Sequence, residues 1–182
     1  MKSITNSITS SHYIKSLAFD YVETYSLQRG DEYEAAIQVL KPERNKLKVR
    51  KEKRNNLTET EEIRLSELEA LLSVTQYLID DTGLFHFSSQ RTNSFQYGNE
   101  SISLLKNILL TKTTDVSNWM CGPIYRDAIV FYKSSGKIVS VLNVCLSCEA
   151  MAIDSCNQVI ADCSIYEMLR KFFKEIGHPV ES

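Results

Sequence analysis

The chain has no long apolar run. No window approaches the roughly 18 consecutive apolar residues of a membrane span, and the opening MKSITNSITSS lacks the apolar stretch of an export signal. The expectation is a cytoplasmic protein with no membrane partner. Histidine is scarce, with three residues, His12, His86 and His178. There is no HExxH, no GxSxG and no phosphate-binding glycine loop, so the common metalloprotease, hydrolase and nucleotide-binding signatures are missing. A net charge of −2 gives no global field toward nucleic acid. No cysteine precedes Cys121; all five (Cys121, Cys145, Cys148, Cys156 and Cys163) lie in the last third. An odd, one-sided set without an export signal fits free thiols or a metal site in a reducing compartment better than a disulfide framework.

What is present reads as one domain. The chain of 182 residues, 43% hydrophobic and 24% charged, is long enough to bury a core without crosslinks. Residues 1–11 are polar and read as a flexible tail, and residues 41–56 as a charged arm. Thr58 with Glu61, and Ser164 with Glu167, have capping-box spacing. They predict helices over 58–79 and 164–176, the second closed by Gly177 and Pro179. SISLLKNILL predicts a third over 101–110. Residues 13–25 carry both helical and strand periods, and their aromatic and β-branched content favours a strand. Residues 33–40 are expected to pair back across Gly30-Asp31 as a second strand, with a helix over 31–40 the close alternative. LFHF, 84–87, reads as a short strand and 88–99 as a polar loop.

The clearest stretch is RDAIVFYKSSGKIVSVLNVCLSC, a hairpin over 126–146 turning at Gly136. Both of its faces are apolar, which places it at the centre of a sheet covered on both sides. The expected fold is therefore α+β, an antiparallel sheet of four to five strands with about three helices on it.

Chemistry concentrates at the hairpin's ends. Trp119-Met120-Cys121-Gly122-Pro123 looks like a thioredoxin motif, but Met120 is inserted and no second cysteine follows Pro123. The chain then runs into a strand, not the helix whose N-terminus would lower a thiol pKa. The true CxxC is Cys145-Leu146-Ser147-Cys148. Two thiolates at that spacing grip one side of a tetrahedral zinc. Cys121 would be the third ligand, and Cys156, Cys163, His86, His178 or Asp127 the fourth. A Cys121–His86 dyad would be the nucleophilic alternative.

The order of cysteine, proline, Arg126-Asp127-Ala128-Ile129-Val130-Phe131-Tyr132, glycine turn and CxxC resembles a group of small, uncharacterised bacterial proteins common in Bacteroidetes-type genomes. That resemblance implies the hairpin, a preceding helix at 57–72 and a closing helix at 168–177, and no established activity. The group has PRHA before VFY and an aromatic inside the CxxC. This chain has Asp127 and Leu146 instead, which removes a histidine ligand and weakens the metal reading.

Two surfaces remain. Phe85, Phe87, Phe95 and Tyr97 form a candidate partner-binding patch. Residues 41–54 hold eight of the 21 basic residues, and Lys48, Arg50, Lys51 and Arg54 are its candidate nucleic-acid contacts. No aromatics interleave with them as stacking platforms, and acidic residues 59–69 follow, so a solvated, self-neutralised arm is the simpler reading. The leading functional expectation is a non-enzymatic domain of the immunity or accessory kind that binds another protein. A zinc-supported or thiol-dependent enzyme or sensor comes second, and nucleic-acid binding third.

Overall fold

The computed structural model describes residues 6–54, 57–117 and 122–180. In chain order the elements are β1 (Asn6–Thr9), α1 (Ser10–Ser16), β2 (Tyr21–Ser26), α2 (Asp31–Arg54), α3 (Glu59–Leu71) and β3 (Gln90–Gln96). They continue with α4 (Glu100–Leu109), β4 (Asp127–Tyr132), β5 (Ile138–Cys145), β6 (Ala150–Ala152), β7 (Asn157–Ile160) and α5 (Cys163–Glu175). The strands make one sheet in the order β1-β7-β6-β5-β4-β2-β3. Every neighbouring pair is antiparallel except β1 with β7, which is parallel.

The β4–β5 hairpin is the middle of this sheet, and all six β4 residues are buried. Its turn closes through Gly136 N donating to Lys133 O at 2.8 Å, with Gly136 at φ +82°, a conformation glycine adopts without strain. Strand alternation sends Ile129, Phe131, Leu142 and Val144 to one face. There they meet Tyr13 and Ile14 of α1, Ile102 and Leu105 of α4, and Ile165, Leu169, Phe172 and Phe173 of α5. Ala128, Val130 and Tyr132 point the other way and pack with Leu27 and Leu78. That second face is covered by the irregular segment between α3 and β3, not by a helix.

One buried side chain fastens this cover. Asn143 of β5 is fully buried and points to the second face. Its Oδ1 accepts from Leu78 N at 2.8 Å, and its Nδ2 donates to Ala152 O at 3.2 Å and Ile153 O at 3.1 Å. A buried amide is tolerated only when its donors and acceptor are matched in this way. Beyond Leu78 the chain makes a tight hairpin, with an Ile79–Phe85 bridge and His86 N donating to Leu78 O at 2.7 Å.

α2 and α3 fold back on each other around their own core of Leu47, Leu65 and Leu68, flanked by Leu40 and Leu57. Arg64 reaches Glu43 at 2.8 Å, Lys48 reaches Glu69 at 3.3 Å, and Arg50 pairs with Glu61. The Thr58–Glu61 capping box is present as expected.

The α+β class and the central hairpin agree with the sequence, but the counts do not: among the described residues the sheet has seven strands and is mixed, and there are five helices. Residues 6–16, expected as tail and strand, form β1 and α1, because β7 offers a free edge for main-chain pairing. The two periods read over 13–25 belong to different halves: the end of α1, then β2. Residues 33–40 are helical, since Ile37, Leu40 and Leu47 need helical spacing to line up along α2. α3 stops at Leu71, not near Ile79, because Gln76 Nε2 captures its terminal carbonyls, Leu71 O at 2.6 Å and Ser73 O at 2.8 Å. LFHF contributes only the Phe85 bridge. The polar loop at 88–99 contains strand β3, paired along β2 through its backbone, with Thr92 the extra residue of a bulge. The cap of α5 is Asp162, not Ser164. Its carboxylate accepts from Ser164 Oγ (2.6 Å) and Ser164 N (3.1 Å), and from Thr114 Oγ1 (2.8 Å), Thr114 N (2.9 Å) and Asp115 N (3.0 Å), which hold it well below the usual carboxylate range.

Replacing Asn143 by leucine keeps the branched shape but adds volume and strands one buried N–H and two carbonyls. Asn143→Leu is expected to cost about 3 kcal/mol, read as a lower urea midpoint at an unchanged slope.

Candidate functional site

The thiols do not come together as a metal centre among the described residues. Cys145 is buried beside Tyr125 and Ala152, with Cys148 half-buried against the same cluster. Cys163 opens α5, its Sγ 3.1 Å from Ser117 Oγ. Cys156 is exposed at the turn between β6 and β7. Cys145, Cys156 and Cys163 are free thiols. Cys121 lies outside the described residues, and no three His, Cys, Asp or Glu side chains among those described assemble as a metal-holding group. Cys148 does line a cavity of about 300 Å³, shared with Tyr125, Tyr166, Ser117 and Glu149.

The other proposed ligands are engaged elsewhere. Asp127 Oδ2 lies 3.1 Å from Arg29 Nη2, and its Oδ1 lies 2.9 Å from His178 Nδ1, a close approach off the line of a hydrogen bond. Both Asp127 and His178 are buried. Arg29 also donates to Pro179 O, so this cluster ties the chain after α5 to the end of β2. It is a structural clamp: removing one member would leave another charge buried.

The four aromatics proposed as one patch lie on opposite faces of the sheet. Phe95 packs into the helix-covered core, and Tyr97 sits beside Phe19 under Lys106. Phe85 lies against Tyr25 on the other face, and Phe87 against Tyr33 of α2. Phe85 and Phe87 are 38% and 48% exposed, and Leu84 beside them 66%. Of the basic residues, Lys48 and Arg50 are paired with α3 glutamates. Lys51 is exposed, and the side chain of Arg54 lies outside the described residues.

Leu84, Phe85 and Phe87 border an open groove of about 450 Å³. Its floor is Ala70 and Leu71 of α3, Tyr77 and Ile79; its remaining wall is Asp80, Asp81, Asp154 and Ser155. The size and apolar floor suit a ligand site. The Asp80 turn is built locally: Asp80 Oδ1 accepts from Thr82 Oγ1 (2.7 Å), Thr82 N (2.9 Å) and Leu84 N (2.9 Å), and Gly83 takes φ +85°. In the sequence, Asp80-Asp81-Thr82-Gly83 stands just past the helix predicted over 58–79. The available signal was a turn set between apolar residues on both sides, Leu78-Ile79 and Leu84-Phe85.

Behind the groove runs a one-directional chain of hydrogen bonds. Gln28 N donates to Ser88 Oγ at 2.8 Å, and the Ser88 hydroxyl lies 2.9 Å from His86 Nδ1. His86 Nε2 meets Gln76 Oε1, and Gln76 Nε2 caps α3. Because Gln76 must use its nitrogen on two carbonyls, its oxygen accepts, and His86 carries its proton on Nε2. Gln28 itself is held at φ +55°, with its Nε2 donating to Tyr125 O at 2.9 Å. Burial depresses the His86 pKa from 6.5 to about 4, because the relay holds the ring half-buried and neutral.

Compared with protein-family models, curated proteins and solved structures, the chain matches none.

Two measurements check this geometry. His86 binds a proton more readily unfolded than folded, so its contribution is fully present above about pH 6.5 and lost as the pH falls to about 4. Denaturation across that window should show a stability step that His86→Gln lacks. In a Cys121→Ser background, alkylation followed by mass spectrometry should label Cys156 first, Cys148 and Cys163 more slowly, and Cys145 only on unfolding.

Proposed function

We propose that the protein is a non-enzymatic binding domain, of the immunity or accessory kind, that holds a segment of another protein in the groove beside Leu84, Phe85 and Phe87. The single observation behind this reading is that these three large apolar side chains remain exposed on a turn that is rigidly built. An exposed aromatic costs little to hold in place when its backbone is already ordered, and ordered aromatics are the usual anchors of protein contacts. The floor of Tyr77 and Ile79 supplies the pocket such anchors share with a partner side chain.

A peptide library displayed on phage and selected against the wild-type protein tests the reading. Leu84→Ser/Phe87→Ser changes only exposed positions, so it should fold normally. Selected peptides are expected to bind the wild type and to weaken at least about tenfold on the double variant, the loss of one well-packed anchor. No enrichment, or equal binding to both proteins, would count against the groove.

A second reading rests on Cys148 in the wall of the 300 Å³ cavity. A zinc-supported or thiol-dependent role would use Cys121, Cys145 and Cys148. Stoichiometric metal in the purified protein, together with slowed thiol labelling, would support it.

A further inference from the structure

The groove's charge specifies which partner it suits. Three carboxylates line it, Asp80, Asp81 and Asp154, and no Lys or Arg does. The whole chain carries only −2, so negative charge is more concentrated here than over the molecule. The Thr82 hydroxyl and the Leu84 N–H keep Asp80 below the usual carboxylate range. Asp154 Oδ1 accepts from Cys156 N at 2.8 Å and Asn157 N at 2.9 Å. Asp81 is exposed. The one imidazole in the lining, His86, is held neutral by the relay and adds no positive charge near pH 7.

We infer that the groove takes a peptide segment in which apolar anchors are flanked by Lys or Arg. This rests on the protein-binding reading and adds the partner's chemistry to it. An acidic segment would bring its carboxylates beside three others over an apolar floor, where like charges are poorly screened. A phosphate backbone and an anionic membrane are disfavoured for the same reason. The rival occupant is a second copy, since α2 carries basic residues with Val39 and Val49 exposed. On that helix Lys48 and Arg50 are already neutralised by Glu69 and Glu61 of their own molecule. That leaves the arm a weaker cation than its sequence suggests, and favours a different protein.

The test uses two fluorescent amphipathic peptides with identical Leu and Phe anchors, one flanked by lysines and the other by glutamates. Anisotropy titrations at low and high salt are run on the full-length wild type, on Asp81→Lys and on Phe87→Ser. The lysine peptide is expected to bind at least about tenfold tighter at low salt, with the gap shrinking at high salt. Asp81→Lys should narrow that gap, and Phe87→Ser should weaken both peptides. Asp81 is exposed and makes no structural bond of the kind Asp80 makes, so its variant should fold, as circular dichroism would verify. Equal binding of the two peptides overturns the charge inference and leaves the protein-binding reading standing. Binding of neither peptide overturns both. A dimer in sedimentation equilibrium that Phe87→Ser dissociates also overturns the inference, since the groove would then belong to a second copy.

Discussion

The second face of the sheet depends on one amide. Asn143 sits fully buried in the central hairpin and is the only point where the described structure joins β5, the chain after β6 and the irregular cover through a single side chain. A hydrophobic residue there would pack, but it would not tell Leu78 where to stop. The carboxamide fixes that position by direction as well as distance. Leu78 then fills the second core, and the hairpin from Leu78 to His86 projects at a set angle.

From that anchor the groove follows. The Asp80 turn orders its rim, and the relay from Gln28 through Ser88, His86 and Gln76 joins the end of β2 to the end of α3. The two sides of the groove therefore belong to one hydrogen-bonded frame. Its polar groups serve each other, and the apolar side chains are left facing outward. The helix-covered face shows the opposite arrangement: apolar groups close on each other, and the polar clamp of Arg29, Asp127 and His178 is buried at one end.

The parts of this architecture that were legible in the sequence are those fixed by local chemistry. The β4–β5 hairpin, the Thr58 cap, α4 and the apolar face of α5 follow from alternation, capping or helical spacing. The misread parts depend on partners far away in sequence. β1 and β3 are strands because an unfilled edge faces them, and their own side chains are too polar to say so. Residues 33–40 are the first part of α2, where Leu40 packs on the α2–α3 core and Tyr33 on Phe87. Asp162 outcompetes Ser164 as a cap because Thr114 and Asp115 deliver extra donors to it. At the candidate site, Phe85 and Phe87 were singled out by their aromatic character. Their separation from Phe95 and Tyr97 was hidden, because Phe85 and Phe87 lie on the irregular cover before β3, whereas the side to which Phe95 turns is set by the pairing of β3 with β2.

The bulge at Thr92 has a consequence for the molecule in a crowded solution. An exposed edge strand is normally a template on which another chain can add, the first step toward fibres. On β3 the row of donors and acceptors is bent by the extra residue, Thr92 turns its hydroxyl back to Thr24 O at 3.0 Å, and Arg91 is charged and 61% exposed. The opposite edge is β1, with four residues among those described. Growth by strand addition is therefore discouraged at the β3 end of the sheet.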